Sequence, residues 1–150
     1  MVTQAAPSPA VEHITPAGKS EELQEEDVAV IIVDHGSRLR ESNNMLFEFA
    51  DLYRNTTGRS FVEVAHMELA SPSIADAMGK VAARGAKKVI VAPYFLSRGR
   101  HIQEDIPALV AAAQKDHPDL ECTIAEPIGI DPLMAQLIEH RVTASLGASS

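Results

Sequence analysis

The side chains best suited to chemistry in this chain are two histidines and a glutamate, His35, Glu68 and His101. Two neutral imidazoles and a carboxylate suit a divalent first-row ion such as Fe²⁺, Co²⁺, Ni²⁺ or Zn²⁺. The same groups supply a base for proton removal. Arginines accompany them: Arg38 and Arg40 follow His35, and Arg98 and Arg100 precede His101. In an acidic chain, two such pairs point to a polyanionic ligand, because the guanidinium fork binds carboxylates bidentately. Ser37 adds a hydroxyl. Gly36 and Gly99 allow tight turns or a close backbone approach to a ligand.

Each of these residues also has a plainer use. His35 can be a hydrogen-bonded loop residue, Glu68 can cap a helix starting near Ser71, and His101 can sit on the surface at a helix start. Any single arginine can be a solubilising loop charge. His66, on the same strand face as Glu68, can join the site, but reads first as a structural hydrogen-bonding residue. His13, His117 and His140 read as solvated or dipole-complementing. Ser37 lacks the GxSxG elbow of a hydrolase nucleophile. No GxGxxG or P-loop lysine is present, so nucleotide binding has no direct support. The His35-Gly36 pair is shared with phosphohistidine phosphatases, but Asp34 stands where those carry an arginine.

The elements that must bring the three residues together are legible as an alternation. Val28 to Val33 is a short β-branched run ending at a polar loop, which predicts a strand buried on both faces. Arg40 to Thr57 predicts a helix with its stripe on Met45, Leu46, Phe49, Leu52 and Tyr53, stopped by Gly58. Phe61 to Leu69 predicts a second strand, closed by Glu68. Ser71 as N-cap and Pro72 at the first helical position predict a second helix on Ile74, Ala77, Met78 and Val81. Val89 to Leu96 predicts a third strand, Gln103 to Lys115 a third helix and Leu120 to Ala125 a fourth strand. Asp131-Pro132 opens a last helix on Leu133, Leu137, Ile138, Arg141, Val142 and Leu146. The order βαβαβαβα predicts an α/β three-layer sandwich with a four-stranded parallel sheet and helices on both faces. Ligands of such sheets sit beyond the carboxyl ends of the strands. His35, Glu68 and His101 then share one edge by topology.

Composition narrows the function classes. The net charge is −8, and residues 1–27 carry about five of those eight excess negative charges. A general nucleic-acid partner is therefore not expected. Residues 1–27 have little apolar content and read as a disordered acidic leader, with a single domain over 28–150. No apolar run approaches the roughly 18 residues of a membrane span, so no membrane partner is expected. Cys122 is the single cysteine, which rules out an intrachain disulfide and a cysteine-based cluster, and fits a reducing, cytoplasmic location.

Taken together, four segments carry a likeness to a known family. They are Val33-Asp34-His35-Gly36-Ser37-Arg38, Met67-Glu68-Leu69, Arg100-His101 with Asp105-Ile106-Pro107, and Pro127-Ile128-Gly129 with Asp131. In that order and with those gaps they resemble the short class II chelatases of the CbiX and SirB type, the sirohydrochlorin ferrochelatases and cobaltochelatases. The likeness runs from about Val28 to Leu146. It implies a parallel α/β fold that inserts a divalent metal, Fe²⁺ first and Co²⁺ or Ni²⁺ as alternatives, into the carboxylate-rimmed tetrapyrrole sirohydrochlorin without ATP. It implies that His35 and His101 bind the metal, that Glu68 is the assisting carboxylate, and that the chain forms a homodimer. Substrate carboxylates would fall to Ser37, Arg38, Arg40, Arg98 and Arg100. The metal is then a substrate, no tightly bound cofactor is implied, and with Cys122 alone no iron–sulfur cluster is expected. A non-catalytic metal or tetrapyrrole carrier would use the same groups.

Overall fold

The computed structural model describes residues 22–147, so His13 and most of the expected leader lie outside the described residues. The leader's last residues do not. Glu25–Asp27 form a 3₁₀ turn, and the Asp27 carbonyl accepts the Lys87 N–H at 2.8 Å. The chain is thus tied to the sheet one residue ahead of the first strand.

Four strands follow in chain order among the described residues: β1 (Val28–Asp34), β2 (Val62–His66), β3 (Lys88–Pro93) and β4 (Glu121–Ile124). All pairings are parallel and the spatial order is β2-β1-β3-β4. Four α-helices alternate with them: α1 (Arg40–Thr57), α2 (Ile74–Ala83), α3 (Ile106–Gln114) and α4 (Pro132–Gly147). The expected α/β sandwich and strand count are present.

β1 is the centre of the sheet. Its Ala29 to Val33 are all buried, as a central parallel strand covered on both faces requires. One face packs Ala29, Ile31, Val33, Val89 and Val91 against α2 and α3. The other packs Val30, Ile32, Val62 and Val64 against Leu46 and Ala50 of α1. Ile31 is fully buried. Truncating such a side chain to alanine costs about 2–5 kcal/mol.

The structure corrects several local expectations. On α1 the inward positions are Leu46 and Ala50, with Phe49 and Tyr53 beside them, whereas Met45 and Leu52 are exposed. The true stripe is one position away from part of the expected one, because the face is set by contact with β1 and β2. β2 stops at His66, so Glu68 lies beyond it in a loop. Helix α2 begins two residues later than Ser71-Pro72. Ser73 is its N-cap, in a reciprocal capping box with Asp76. The Ser73 backbone N–H bond, and then its hydroxyl, hold the Asp76 carboxyl below the ordinary carboxylate range. The third strand ends at Pro93. The third helix opens earlier than expected, with a π turn over His101–Asp105 before α3.

The largest departure is α4. The expected helix forms, but none of its residues is buried. Leu133 and Ile138 are 72% and 61% exposed. The half of the sheet built from β3 and β4 is covered on the α2–α3 side by Cys122 and Ile124 packing into the core. Its other side leaves Thr123 exposed and Ile90 only half-buried.

Candidate metal-capture site

The site is built at the carboxyl ends of β1, β2 and β3. With strand order β2-β1-β3-β4, the chain leaves β1 toward one side of the sheet and leaves β3 toward the other. The crevice between those two exits is the topological switch point, where open α/β sheets bind ligands. His35 is the first residue after β1, and His101 opens a π turn that lies between β3 and α3.

Backbone pairing continues past the strand ends and brings Glu68 alongside. The Met67 N–H donates to the Asp34 carbonyl at 2.8 Å and the Glu68 N–H to the His35 carbonyl at 3.1 Å. At Gly36 the chain turns with φ +89°. A Cβ there would lie 1.9 Å from the Glu68 carbonyl oxygen and 3.1 Å from the His66 Cβ. Gly36 thus meets both demands, a left-handed backbone and a close approach. The next residue is clamped: the Ser37 N–H donates to Asn43 Oδ1 at 2.9 Å, and Asn43 Nδ2 donates to the Ser37 carbonyl at 2.7 Å. The Ser37 hydroxyl accepts the Leu39 N–H at 3.0 Å. Leu69, next to Glu68, sits at φ +69°, the one non-glycine residue with positive φ among the described residues. Such strain is tolerated where the surroundings over-determine the backbone, as in binding loops.

Glu68 and His101 both reach His35. His35 Nε2 is 3.1 Å from Glu68 Oε1, and the His35 and His101 rings are edge-on with centroids 4.8 Å apart. His35 Nδ1 faces the Gly36 carbonyl at 3.1 Å. Both neighbours of the His35 ring are acceptors, and a neutral imidazole has one N–H to give. With Nδ1–H on the carbonyl, the Nε2 lone pair faces a carboxylate oxygen, an arrangement that a cation between them completes. Ligands at the usual 2.0–2.2 Å from a first-row ion, set at right angles, are about 3 Å apart. The His35–Glu68 separation fits that spacing. Among the described residues, no three His, Cys, Asp or Glu side chains form a finished cage around one point. The trio is adjacent and partly exposed, as suits a cation that must arrive and leave.

His66 stands directly behind. It is fully buried, and its Nδ1 lies 2.6 Å from Asp34 Oδ1, the residue it pairs with across β1 and β2. Its Nε2 has no partner among the described residues. The structural hydrogen bond expected of His66 is present, and it ties the two strand ends that carry His35 and Glu68. Cys122 takes no part. Burial first, and then the neighbouring Glu121, push its thiol up. It stays a protonated, poorly nucleophilic thiol at neutral pH.

The four arginines are on the surface around this rim but are not gathered onto one point. Arg38 and Arg40 are exposed at the entry to α1. Arg98 lies 4.0 Å from Glu126, and Arg100 lies 3.7 Å from Glu104. Exposed pairs of this kind are worth at most about 1 kcal/mol, so they leave the guanidinium groups open to other carboxylates. Beside Arg98, the loops after β3 and β4 and the start of α4 enclose an open cavity of about 660 Å³, lined by Phe49, Tyr94, Phe95, Ile128, Leu133 and Leu137. A second cavity, about 540 Å³ between Gln24, Arg59 and Lys88, lies at the opposite, amino edge of the sheet, away from the histidines.

Reading the sequence alone missed three supports of this site: the Asn43 clamp, the left-handed Leu69, and Asp105 against His101. Asn43 carried a signal only as a polar residue in the first turn of a helix, and Asp105 only as part of the family-like segment that follows His101.

The CbiX family model matches residues 29–145. This chain belongs to the CbiX family. It is 45% identical over 129 residues to a chloroplastic sirohydrochlorin ferrochelatase of Arabidopsis thaliana, a match covering 83% of this chain and 57% of that protein. It is 33% identical over 138 residues to a sirohydrochlorin cobaltochelatase of Methanothermobacter thermautotrophicus, covering 82% of this chain and 96% of that one. Among solved structures it is similar to the sirohydrochlorin chelatase SirB of Bacillus subtilis subspecies spizizenii in complex with cobalt. That match has a TM-score of 0.73 and 26% identity, and covers 79% of this chain and 50% of SirB. This CbiX chain thus spans little more than half the length of the plant relative and half that of SirB.

Proposed function

We propose that this CbiX protein is a sirohydrochlorin chelatase, a lyase that inserts a divalent metal into sirohydrochlorin without ATP. The observation that carries the reading is the convergence of His35, Glu68 and His101 at the β1/β3 switch point, with each histidine's Nδ1 against a fixed acceptor. His35 and His101 hold the incoming ion through Nε2. As the ion's bonds to the histidines give way to bonds with the macrocycle's nitrogens, two pyrrole protons leave; Glu68 helps pass them to bulk water or balances the ion's charge. Holding ion and macrocycle together removes much of the barrier. Sirohydrochlorin's carboxylates pair with guanidinium groups among Arg38, Arg40, Arg98 and Arg100, with Ser37 in the same loop. The metal is substrate. Fe²⁺ is favoured, because the 45% identical relative is named a ferrochelatase. Co²⁺ is the second reading, supported by the cobaltochelatase and by the cobalt complex of SirB.

Anaerobic mixing of sirohydrochlorin and metal in large excess over protein tests this. Many turnovers per protein molecule are expected, fastest with Fe²⁺ in a metal-by-metal comparison of initial rates. A single stoichiometric burst would mean a carrier on the same scaffold.

The homodimer is part of the same reading. A 16-residue helix with exposed Leu133, Leu137, Ile138 and Val142 and no buried face needs a partner. A second copy is the natural occupant, since two copies together span the length of SirB. Analytical ultracentrifugation should give a dimer for the natural chain and a monomer for a Leu137→Glu, Ile138→Glu double variant. A dimer of unchanged affinity in that variant would exclude α4 from the interface.

The proposal also includes a cytoplasmic location, on the strength of the lone cysteine. Among the described residues no helix is long and apolar enough to cross a membrane. Cell fractionation checks this against an organelle, which the plant relative's name specifies for that protein.

A further inference from the structure

We infer that Asp105 is a positioning residue for metal capture, orienting His101 so that its Nε2 lone pair is the one presented to the ion. The inference rests on the reading of His101 as a metal ligand and adds the group that aims it. Asp105 Oδ2 lies 2.7 Å from His101 Nδ1. A carboxylate accepts and does not donate, so the proton is on Nδ1 and the lone pair is on Nε2. At His35 the acceptor beside Nδ1 is the Gly36 carbonyl. The difference is that His35 is aimed by backbone and His101 by a side chain that a single substitution can remove.

The local backbone explains the contact. His101 and Asp105 are the first and last residues of the π turn. In a regular α-helix, residues four apart are offset by about 40° around the axis. A π turn is wider, with slightly more than four residues per turn, so the two side chains stack almost in line. The Ile106 N–H reaches back five residues to the His101 carbonyl. Pro107 follows and has no N–H to pull the helix into the tighter register at that point. π turns are rare and recur at functional sites. Asp105 is itself 41% exposed, so its removal empties no packed core. Loss of a carboxylate that orients a ligating histidine typically costs 10–100-fold in metal affinity or activity.

The test uses Co²⁺ as the probe, with Asp105→Ala, Asp105→Asn and His101→Ala compared with the natural protein. Asp105→Ala should raise the Kd for Co²⁺ and the KM for Co²⁺ by about 10–100-fold, with the KM for sirohydrochlorin and the Tm unchanged. Asp105→Asn should recover part of the loss, because its carbonyl oxygen still accepts the Nδ1–H bond. A carboxylate serving only the helix start would act through the dipole. In that case Asp105→Ala lowers the Tm, leaves both Co²⁺ constants where they were, and overturns the inference. If His101→Ala weakens Co²⁺ binding while Asp105→Ala does not, this inference fails and the chelatase reading stands. If neither variant changes Co²⁺ binding, the ligand reading of His101 fails with it.

Discussion

His35→Ala and His101→Ala should each lower metal insertion more than 100-fold, above the range expected for losing an orienting partner. The two histidines are edge-on neighbours on adjacent strand exits, so an ion held by both loses half its nitrogen donors when either is removed. His35→Ala also strips Glu68 of its contact at 3.1 Å. The double variant should be scarcely slower than either single one, because groups acting as a unit do not add. Both single variants should keep their Tm, since neither ring belongs to the buried core. Steady-state insertion rates with Fe²⁺ and Co²⁺, read beside thermal unfolding, check each part. Full activity in His35→Ala would remove the basis of the proposed function.

Gly36→Ala should be the most damaging glycine-to-alanine change among the described residues. The added carbon would fall 1.9 Å from the Glu68 carbonyl oxygen, and backbone on both sides of that clash is tied by the ladder from β1 to Met67 and Glu68. The left-handed φ of +89° adds its own cost, about 1–2 kcal/mol for a residue with a Cβ. Displacing the Glu68 loop should bring the total to about 3 kcal/mol or more, in the range reserved for named steric faults. Gly58→Ala is the internal control. Gly58 has φ +77° but nothing within 4 Å of its missing Cβ. It should cost only about 1 kcal/mol. Denaturant midpoints separate the two. Equal losses would show that the backbone angle alone matters and that the approach of Gly36 to Glu68 is not part of how the site is held. Gly36→Ala should also weaken Co²⁺ binding, whereas Gly58→Ala should not.

Much of this could be argued from residue types. A β-branched run that stops at Asp34-His35-Gly36 reads as a strand feeding a loop, and three further runs with intervening amphipathic stretches leave one economical arrangement. The capping residues were less legible. Ser71-Pro72 has the form of a helix start, yet Ser73 with Asp76 is the pair that closes the box. Two overlapping local signals compete there, and the one that completes a reciprocal hydrogen-bond pair wins. The stripe of α1 was misplaced at Met45 and Leu52 because helical periodicity marks a set of apolar positions but does not say which of them a neighbouring sheet covers. α4 shows the same limit more strongly. Its apolar residues mark a helix, and within one chain none of them is buried.

The chain's own pattern determined the class of fold and the placing of His35, Glu68 and His101 at one carboxyl edge, because strand and helix periods and breaks are local properties. Tertiary structure alone decided strand order, and with it that β1 lies against β3, so that His35 and His101 touch although 66 positions separate them. It also decided that Gly36 presses on Glu68 and that Asp105 stacks over His101. These are outcomes of long-range packing and backbone geometry, set by the free energy of the whole fold.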